Sequence, residues 1–228
     1  MAASRVPAGG VAAVALTAAL ATGLWMLADY RAWRALGIGG LPPTWRGWAI
    51  MTRLRLRMTG PFNMHSFGPD GETRLTALPP RAGPRPSVAP QPIPHRQRTD
   101  HAPPAAKAAL AAAFDAAVAA APGDLAFRAS HFEKHNPAIT ALHCCDDATC
   151  GEIAHIHPSD GSMHMILSPA DARAVIIAGW GERHGLAGVA FGLPPTYLLV
   201  YAPRDAAEVP PIAAILAAAI HHCLGRTP

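Results

Sequence analysis

Residues 152–157 alternate polar and apolar side chains, and residues 162–167 resume the alternation after Pro158-Ser159-Asp160-Gly161. A period of two belongs to a half-buried strand, so the stretch reads as a β-hairpin. Asp160-Gly161 suits a two-residue type I′ turn, whose central residues both take positive φ, and that turn sets the register. Under it Ser159 faces Ser162, and His157 faces His164. His155 shares the face of His157 and lies diagonal to His164. The hairpin commits the chain to a sheet with three imidazoles on one face.

Two chemistries suit that patch. A His-x-His pair with a third His has the ligand type and spacing for a divalent metal with open positions, although the motif names no particular metal. The same residues suit a metal-free site, with one His as general base and another binding an oxyanion, because histidine titrates near working pH. No Asp or Glu stands at an obvious fourth position. Glu152, Glu182 and His184 reach the patch only if the fold brings them there.

Ser168-Pro169-Ala170-Asp171 reads as a helix start, with Ser at the N-cap, Pro at the first helical position and an acid in the first turn. The helix is expected to run to about Ala178, with Gly179 as its stop. Trp180-Gly181-Glu182-Arg183-His184-Gly185 then reads as a loop on glycine hinges that completes a pocket wall. An ordinary helix-to-strand connection with a buried Trp is the plain alternative.

Residues 6–28 carry no charged side chain and are long enough as a helix to cross roughly 30 Å of hydrocarbon. A retained anchor is favoured over a cleaved signal peptide, since Trp25-Met26-Leu27 is a poor cleavage site. Arg31, Arg34, Arg46, Arg53, Arg55 and Arg57 follow, so the positive-inside rule makes this a single-pass membrane protein with its C-terminal domain in the cytoplasm. Trp45 and Trp48 interleave with those arginines, and residues 41–58 are expected to lie along the lipid headgroups. An edge strand is the alternative for residues 53–58, which alternate strictly. Residues 79–104 are rich in Pro and Arg, which by composition is an extended linker.

The net charge of +4 is modest, and the arginines crowd into the first hundred residues, which points to a local anionic surface and away from nucleic acid. Cys144, Cys145, Cys150 and Cys223 lack metal or redox spacing and read as reduced thiols in a reducing compartment. Residues 105–121 form an alanine-rich helix with Leu110, Phe114 and Val118 on one face. Residues 127–131 and 139–145 read as strands, with Glu133, His135 and Asn136 in a solvated turn between them. Residues 196–202 suit a central strand. Residues 212–224 form a last helix, capped by Asp205 and Glu208 with Pro210 and Pro211 in its first turn. The chain thus divides into an N-terminal membrane anchor over residues 1–30, a basic interfacial segment with a Pro-rich arm over 31–104, and a domain over 105–228. That domain is α+β, its sheet largely antiparallel with flanking helices.

After the apolar N-terminus come Trp45-Arg46-Gly47-Trp48, Arg85-Pro86-Ser87, Arg96-Gln97-Arg98-Thr99, Phe132-Glu133-Lys134-His135 and Glu152-Ile153-Ala154-His155-Ile156-His157. Met163-His164-Met165, Gly179-Trp180-Gly181-Glu182-Arg183-His184, Leu186-Ala187-Gly188 and Tyr201-Ala202-Pro203-Arg204 complete the series. Together they resemble the luciferases of luminous fungi and the wider luciferase-domain family of fungi and bacteria. That resemblance implies a membrane-bound oxygenase acting on a 3-hydroxy-α-pyrone, 3-hydroxyhispidin in the fungal enzymes. Dioxygen, the co-substrate, adds to the pyrone, carbon dioxide leaves, and an excited product emits light. The resemblance also implies that residues 81–100 pack on the domain as an arm.

On that reading His155, His157, His164, His184, Glu182 and Arg183 are the catalytic residues, and Asp160, Ser162, Trp180 and Tyr201 contact the substrate. A metal, if bound, sits on His155, His157 and His164. The chain departs from the fungal pattern twice: the segment between His157 and His164 is one residue shorter, and Gly185 replaces a Pro. The competing reading is a membrane-anchored binding module with structural histidines, and a metal-dependent hydrolase stands third.

Overall fold

A computed structural model describes residues 8–68, 71, 73–143 and 148–225. The pair Cys144-Cys145 and the first two residues of the apolar run at 6–28 lie outside the described residues. Two helices, α1 (Ala8–Ala35) and α2 (Trp45–Arg55), precede α3 (Pro104–Ala119) and the strands β1 (Leu125–Ala129), β2 (Pro137–Ala141), β3 (Glu152–Ile156) and β4 (Met163–Ile166). Helix α4 (Pro169–Ile177), β5 (Gly181–Arg183), β6 (Tyr197–Val200) and α5 (Val209–Cys223) complete the chain. The strands form one six-stranded sheet in the order β1-β2-β3-β4-β6-β5, antiparallel throughout. This is the α+β class expected from the sequence.

The sheet has two differently covered faces. On one, Ile139, Ala154, Met163, Met165, Leu198 and Val200 pack with Leu110 and Phe114 of α3, Val175 and Ile176 of α4, and Ile212 and Leu216 of α5. Each large aliphatic side chain buried there contributes about 1.5–3 kcal/mol. Alternation sends His155, His164, Leu199 and Tyr197 to the other face. The local signals for α4 hold: the Ser168 side chain accepts from Asp171 N–H at 3.1 Å, and Gly179 ends the helix at φ +86.

Two readings of local pattern give way to tertiary contacts. Residues 53–58 do not form a strand, because α2 runs through Arg55 and folds back on the end of α1. Asp29, the one acid in α1 and partly buried, needs partners, and it accepts from Trp48 Nε1–H at 2.8 Å and pairs with Arg55 at 3.1 Å. Trp48 is therefore buried and not in a headgroup layer, while the half-exposed Trp45 stacks on Tyr30 with ring centres 3.8 Å apart. Residues 181–183 are not a loop either. They form edge strand β5, whose pairing with β6 satisfies backbone groups that a buried loop would leave unpaired.

Helix α1 has 28 residues, about 42 Å at 1.5 Å per residue, and Val14, Leu20 and Leu24 on it are exposed. Its segment Gly10–Ala35 is a candidate membrane span with no part of its apolar window buried. Helix α5 is also long and apolar enough to cross a membrane, but it packs on the sheet as a core helix.

The Pro-rich segment is no free linker. Gln91, His95, Arg96 and Gln97 are buried; His95 stacks on His164 of the second sheet face, and Gln91 donates to Asp29 of α1 at 3.3 Å. Arg81 donates to the Ala202 carbonyl at 2.8 Å and pairs with Glu208 at 2.9 Å. Gln97 N–H donates to Asp160 Oδ2 at 2.8 Å, and Gln97 Oε1 accepts from Ala202 N–H at 3.0 Å.

Candidate functional site

The hairpin forms with a different register from the expected one. His155 pairs with His164, and Ile156 with Met163, so four residues, Pro158 to Gly161, make the turn. His157 N–H donates to the Ser162 carbonyl at 2.8 Å, and Gly161 N–H donates to the His157 carbonyl at 2.9 Å. Gly161 takes φ +81, whereas Asp160 stays out of the left-handed region and uses its carboxylate to accept from Ser162 N–H at 3.0 Å. Pro158 has no N–H for a longer ladder, which favours the wider turn. The slip is two residues, a full side-chain period, so all three histidines keep their face.

A bulge in β3 completes the patch. Ile139 pairs with Ala154 and Thr140 with Glu152, leaving Ile153 as the extra residue. Three residues apart, Glu152 and His155 would otherwise point to opposite faces. The bulge turns Glu152 inward, where Oε1 lies 2.6 Å from His155 Nδ1. His155 and His157 bring their Nε2 atoms to 3.2 Å, and His157 Nδ1 lies 2.8 Å from Ser162 Oγ. The ring of His164 stands 5.3 Å from that of His155 and 4.7 Å from that of His157, nearly perpendicular to both.

Two further histidines join from other elements. His95, in the arm, stacks on His164 with centres 5.5 Å apart and meets His184 edge-on at 4.7 Å. Its Nε2 lies 3.5 Å from Glu182 Oε1, and its Nδ1 is buried without a hydrogen-bond partner. His184 is satisfied on both nitrogens: Nδ1 accepts from Leu186 N–H at 3.1 Å, and the ring donates to the Pro92 carbonyl.

A cavity of about 330 Å³ lies against this cluster. His95, His155, His164, His184, Glu133 and Tyr197 line it together with Leu41, Ile93, Phe132, Phe191 and Leu193. Burial pushes His157, His164 and His184 well below the usual imidazole range; the Arg96 charge adds to this at His157, and neighbouring histidines at all three. Burial thus favours the neutral form of all three; both nitrogens of His184 are already engaged, whereas His157 and His164 can ligate a metal. Burial raises the Glu152 carboxyl, but the hydrogen bond from His155, with those from His131 N–H and Ser130, brings it below its usual value. Burial, then Glu152 and Glu133, holds Tyr197 well above the usual phenol range, so it is a neutral donor.

The expected site residues divide. His155, His164 and His184 line the cavity, and His157 lies directly behind them. Asp160, Ser162 and Tyr201 do not line it: Asp160 and Ser162 anchor His157, and the Tyr201 hydroxyl donates to Glu182 Oε2 at 2.9 Å. Trp180 is remote, buried in the helix-covered core with Nε1–H donating to the Pro79 carbonyl at 2.6 Å. Arg183 is structural. It pairs opposite Leu198 on the helix-covered face and donates to the carbonyls of Ala187 and Pro195 at 2.6 and 3.1 Å. Gly185 leaves room that the Met58 side chain fills, 2.4 Å from where a Cβ would stand.

Four residues escape local reading: His95, Arg96, Glu133 and Tyr197. Glu133 is not in a solvated turn but buried, paired with Arg96 and accepting from Asn136 Nδ2–H at 2.7 Å. The only sequence signals for Arg96 and Glu133 are the motifs at residues 96–99 and 132–135 that carry the family resemblance.

The family model described as Luciferase domain matches residues 151–219, which hold β3 to most of α5. A luciferase of Armillaria gallica is 31% identical over 92% of this chain and 87% of its own length. One of Armillaria ostoyae is 32% identical over 91% and 85%, and one of Neonothopanus nambi 32% over 84% and 79%. No solved structure matches the chain.

Proposed function

The chain belongs to the luciferase family, and from that membership we propose that it is a membrane-anchored luciferase-type oxygenase of a 3-hydroxy-α-pyrone, of the 3-hydroxyhispidin kind, with dioxygen as co-substrate. The cavity carries this reading: histidines line it together with apolar side chains. A planar enol has a polar edge that must lose a proton and an apolar body to bury, and the two kinds of lining residue suit the two parts.

The enol must ionise first, because its anion donates electrons to dioxygen far more readily than the neutral form. His95 is the base we assign, since its Nδ1 is free of protein partners and Glu182 stands behind Nε2 to stabilise the imidazolium. Tyr201 holds Glu182 in place. Dioxygen then forms a bond to ring carbon, and carbon dioxide leaves. Substrate and dioxygen together supply every atom and electron of product and carbon dioxide, so no external reductant is required. Light follows when the product is released in an excited state.

Gly40 and Leu41, shortly after α1, border the cavity, so a lipophilic substrate enters from the bilayer surface with α1 as the single span and the domain on the cytoplasmic side. Oxygen uptake and photon counting on the detergent-solubilised full chain with 3-hydroxyhispidin test the reading. Sustained uptake is expected, cut about 100-fold in His95→Ala. Binding of the pyrone without uptake would instead support a binding module with structural histidines.

A further inference from the structure

The neighbours of His155 and His157 fix the direction of their hydrogen bonds. Asp160 accepts backbone N–H groups on both oxygens, from Ser162 at 3.0 Å and Gln97 at 2.8 Å, and accepts the Ser162 hydroxyl at 2.9 Å. That commits the single Ser162 proton, so Ser162 Oγ accepts from His157 Nδ1–H. Glu152 accepts from the Ser130 hydroxyl at 3.1 Å and from the backbone N–H groups of His131 and Phe132, so it also accepts from His155 Nδ1–H. Each histidine is left with a lone pair on Nε2, and the two lone pairs face each other at 3.2 Å. Among buried side chains that arrangement asks for a cation between them.

Three observations favour a metal over a shared proton. His164 offers a third nitrogen, all three lying within 4.8 Å of one another, and its Nδ1 has no hydrogen-bond partner although buried. The Nε2 to Nε2 distance matches the edge of about 3.3 Å that a tetrahedral ion with bonds of about 2.0 Å requires. The charges are also unbalanced. Arg96 pairs with Glu133, which leaves Glu152 and Asp160 buried without a guanidinium or ammonium partner among the described residues.

We infer that His155, His157 and His164 bind one divalent first-row transition metal, with Glu152 and the Ser162–Asp160 pair orienting the ligands. A carboxylate directly behind His155, and one behind His157 through Ser162, is the arrangement that fixes tautomer and ring angle at such centres. His155 and His164 also line the cavity, so the open coordination position faces it. An all-imidazole ligand set favours zinc, iron, cobalt, nickel or copper over magnesium or calcium. The ion would serve the proposed oxygenase, but its binding is measurable apart from turnover.

The test is metal analysis of the full chain as purified in detergent, followed by chelation and titration with Co²⁺. Uptake of one equivalent, with the visible absorption of a four- or five-coordinate cobalt site and a raised melting temperature, is expected. His155→Ala and His164→Ala should abolish that absorption, and His95→Ala should retain it. Ser162→Ala should weaken cobalt binding 10- to 100-fold, the usual cost of losing an outer partner. Should a histidine variant fail to fold, the wild-type and Ser162→Ala titrations still decide. No cobalt absorption in the wild type would overturn the site in favour of a shared proton, and absorption that survives His155→Ala would place the ion elsewhere. Cobalt bound without oxygen uptake counts against the proposed reaction and leaves the site standing; sustained uptake by a protein that binds no cobalt does the reverse.

Discussion

The β3–β4 hairpin and the arm at residues 85–99 build the same site by different physics. The hairpin places its histidines through a backbone ladder, and a register two residues from the expected one still leaves all three on one face. The arm forms only the isolated bridge between Val88 and Gln97, and otherwise holds through single side chains. Arg96 meets Glu133, Gln97 ties the hairpin turn to Ala202, and His95 reaches Glu182. Periodic structure tolerates error in whole periods. A strap of individual contacts has no such tolerance, so the arm is the brittle half.

The largest effect on stability should come from Arg96→Met, which leaves Glu133 buried and unpaired. A loss of about 3–5 kcal/mol is expected in chemical denaturation, and a loss under about 1 kcal/mol would mean that the arm is not integral. His164→Ala in the hairpin should instead lower oxygen uptake with the pyrone at least about 100-fold while moving the melting temperature little. Near-normal uptake in that folded variant would remove the hairpin from the chemistry.

Gln97→Ala takes the acceptor from a buried backbone N–H of Ala202 and should cost about 1–3 kcal/mol, read as a shift in the denaturation midpoint. At the arm's other end, burial raises the Glu208 carboxyl, but hydrogen bonds from Arg81 and Arg204 overcome it and hold it at about 2, against an ordinary 4.5. A depressed folded value gives stability that is complete above pH 4.5 and lost as pH falls from there toward 2. Denaturation midpoints across that window should fall, and Arg81→Met should flatten the slope. His101→Ala is the smallest change. His101 is exposed beside the arm, so its loss should stay within about 0.5 kcal/mol, and a larger effect would extend the brittle region past Asp100.

Legibility follows the same division. Ser168 as a cap, Gly179 as a stop and alternation through His155, His157 and His164 are all signals within a few residues, and the fold agrees with each. Glu152 could be named only as a candidate, because its orientation depends on a bulge that a partner strand imposes. Trp180 and Arg183 mislead for the converse reason: large polar-tipped side chains beside glycines look functional, but here they satisfy carbonyls on the helix-covered side. His95 lies among prolines whose composition reads as linker, and Glu133 sits in a polar run that reads as solvated.

By itself the sequence determined what repeats locally: an apolar helix at the N-terminus, an antiparallel α+β domain, and a hairpin carrying three histidines on one face. Tertiary structure alone decided which carboxylates stand behind those histidines, that His95 and Arg96 cross from the arm to join them, and that Arg183 and Trp180 turn away. The physical reason is range. Periodicity and capping are set by neighbours in the chain, whereas the pairing of a buried charge is set by whichever distant group can offset its desolvation.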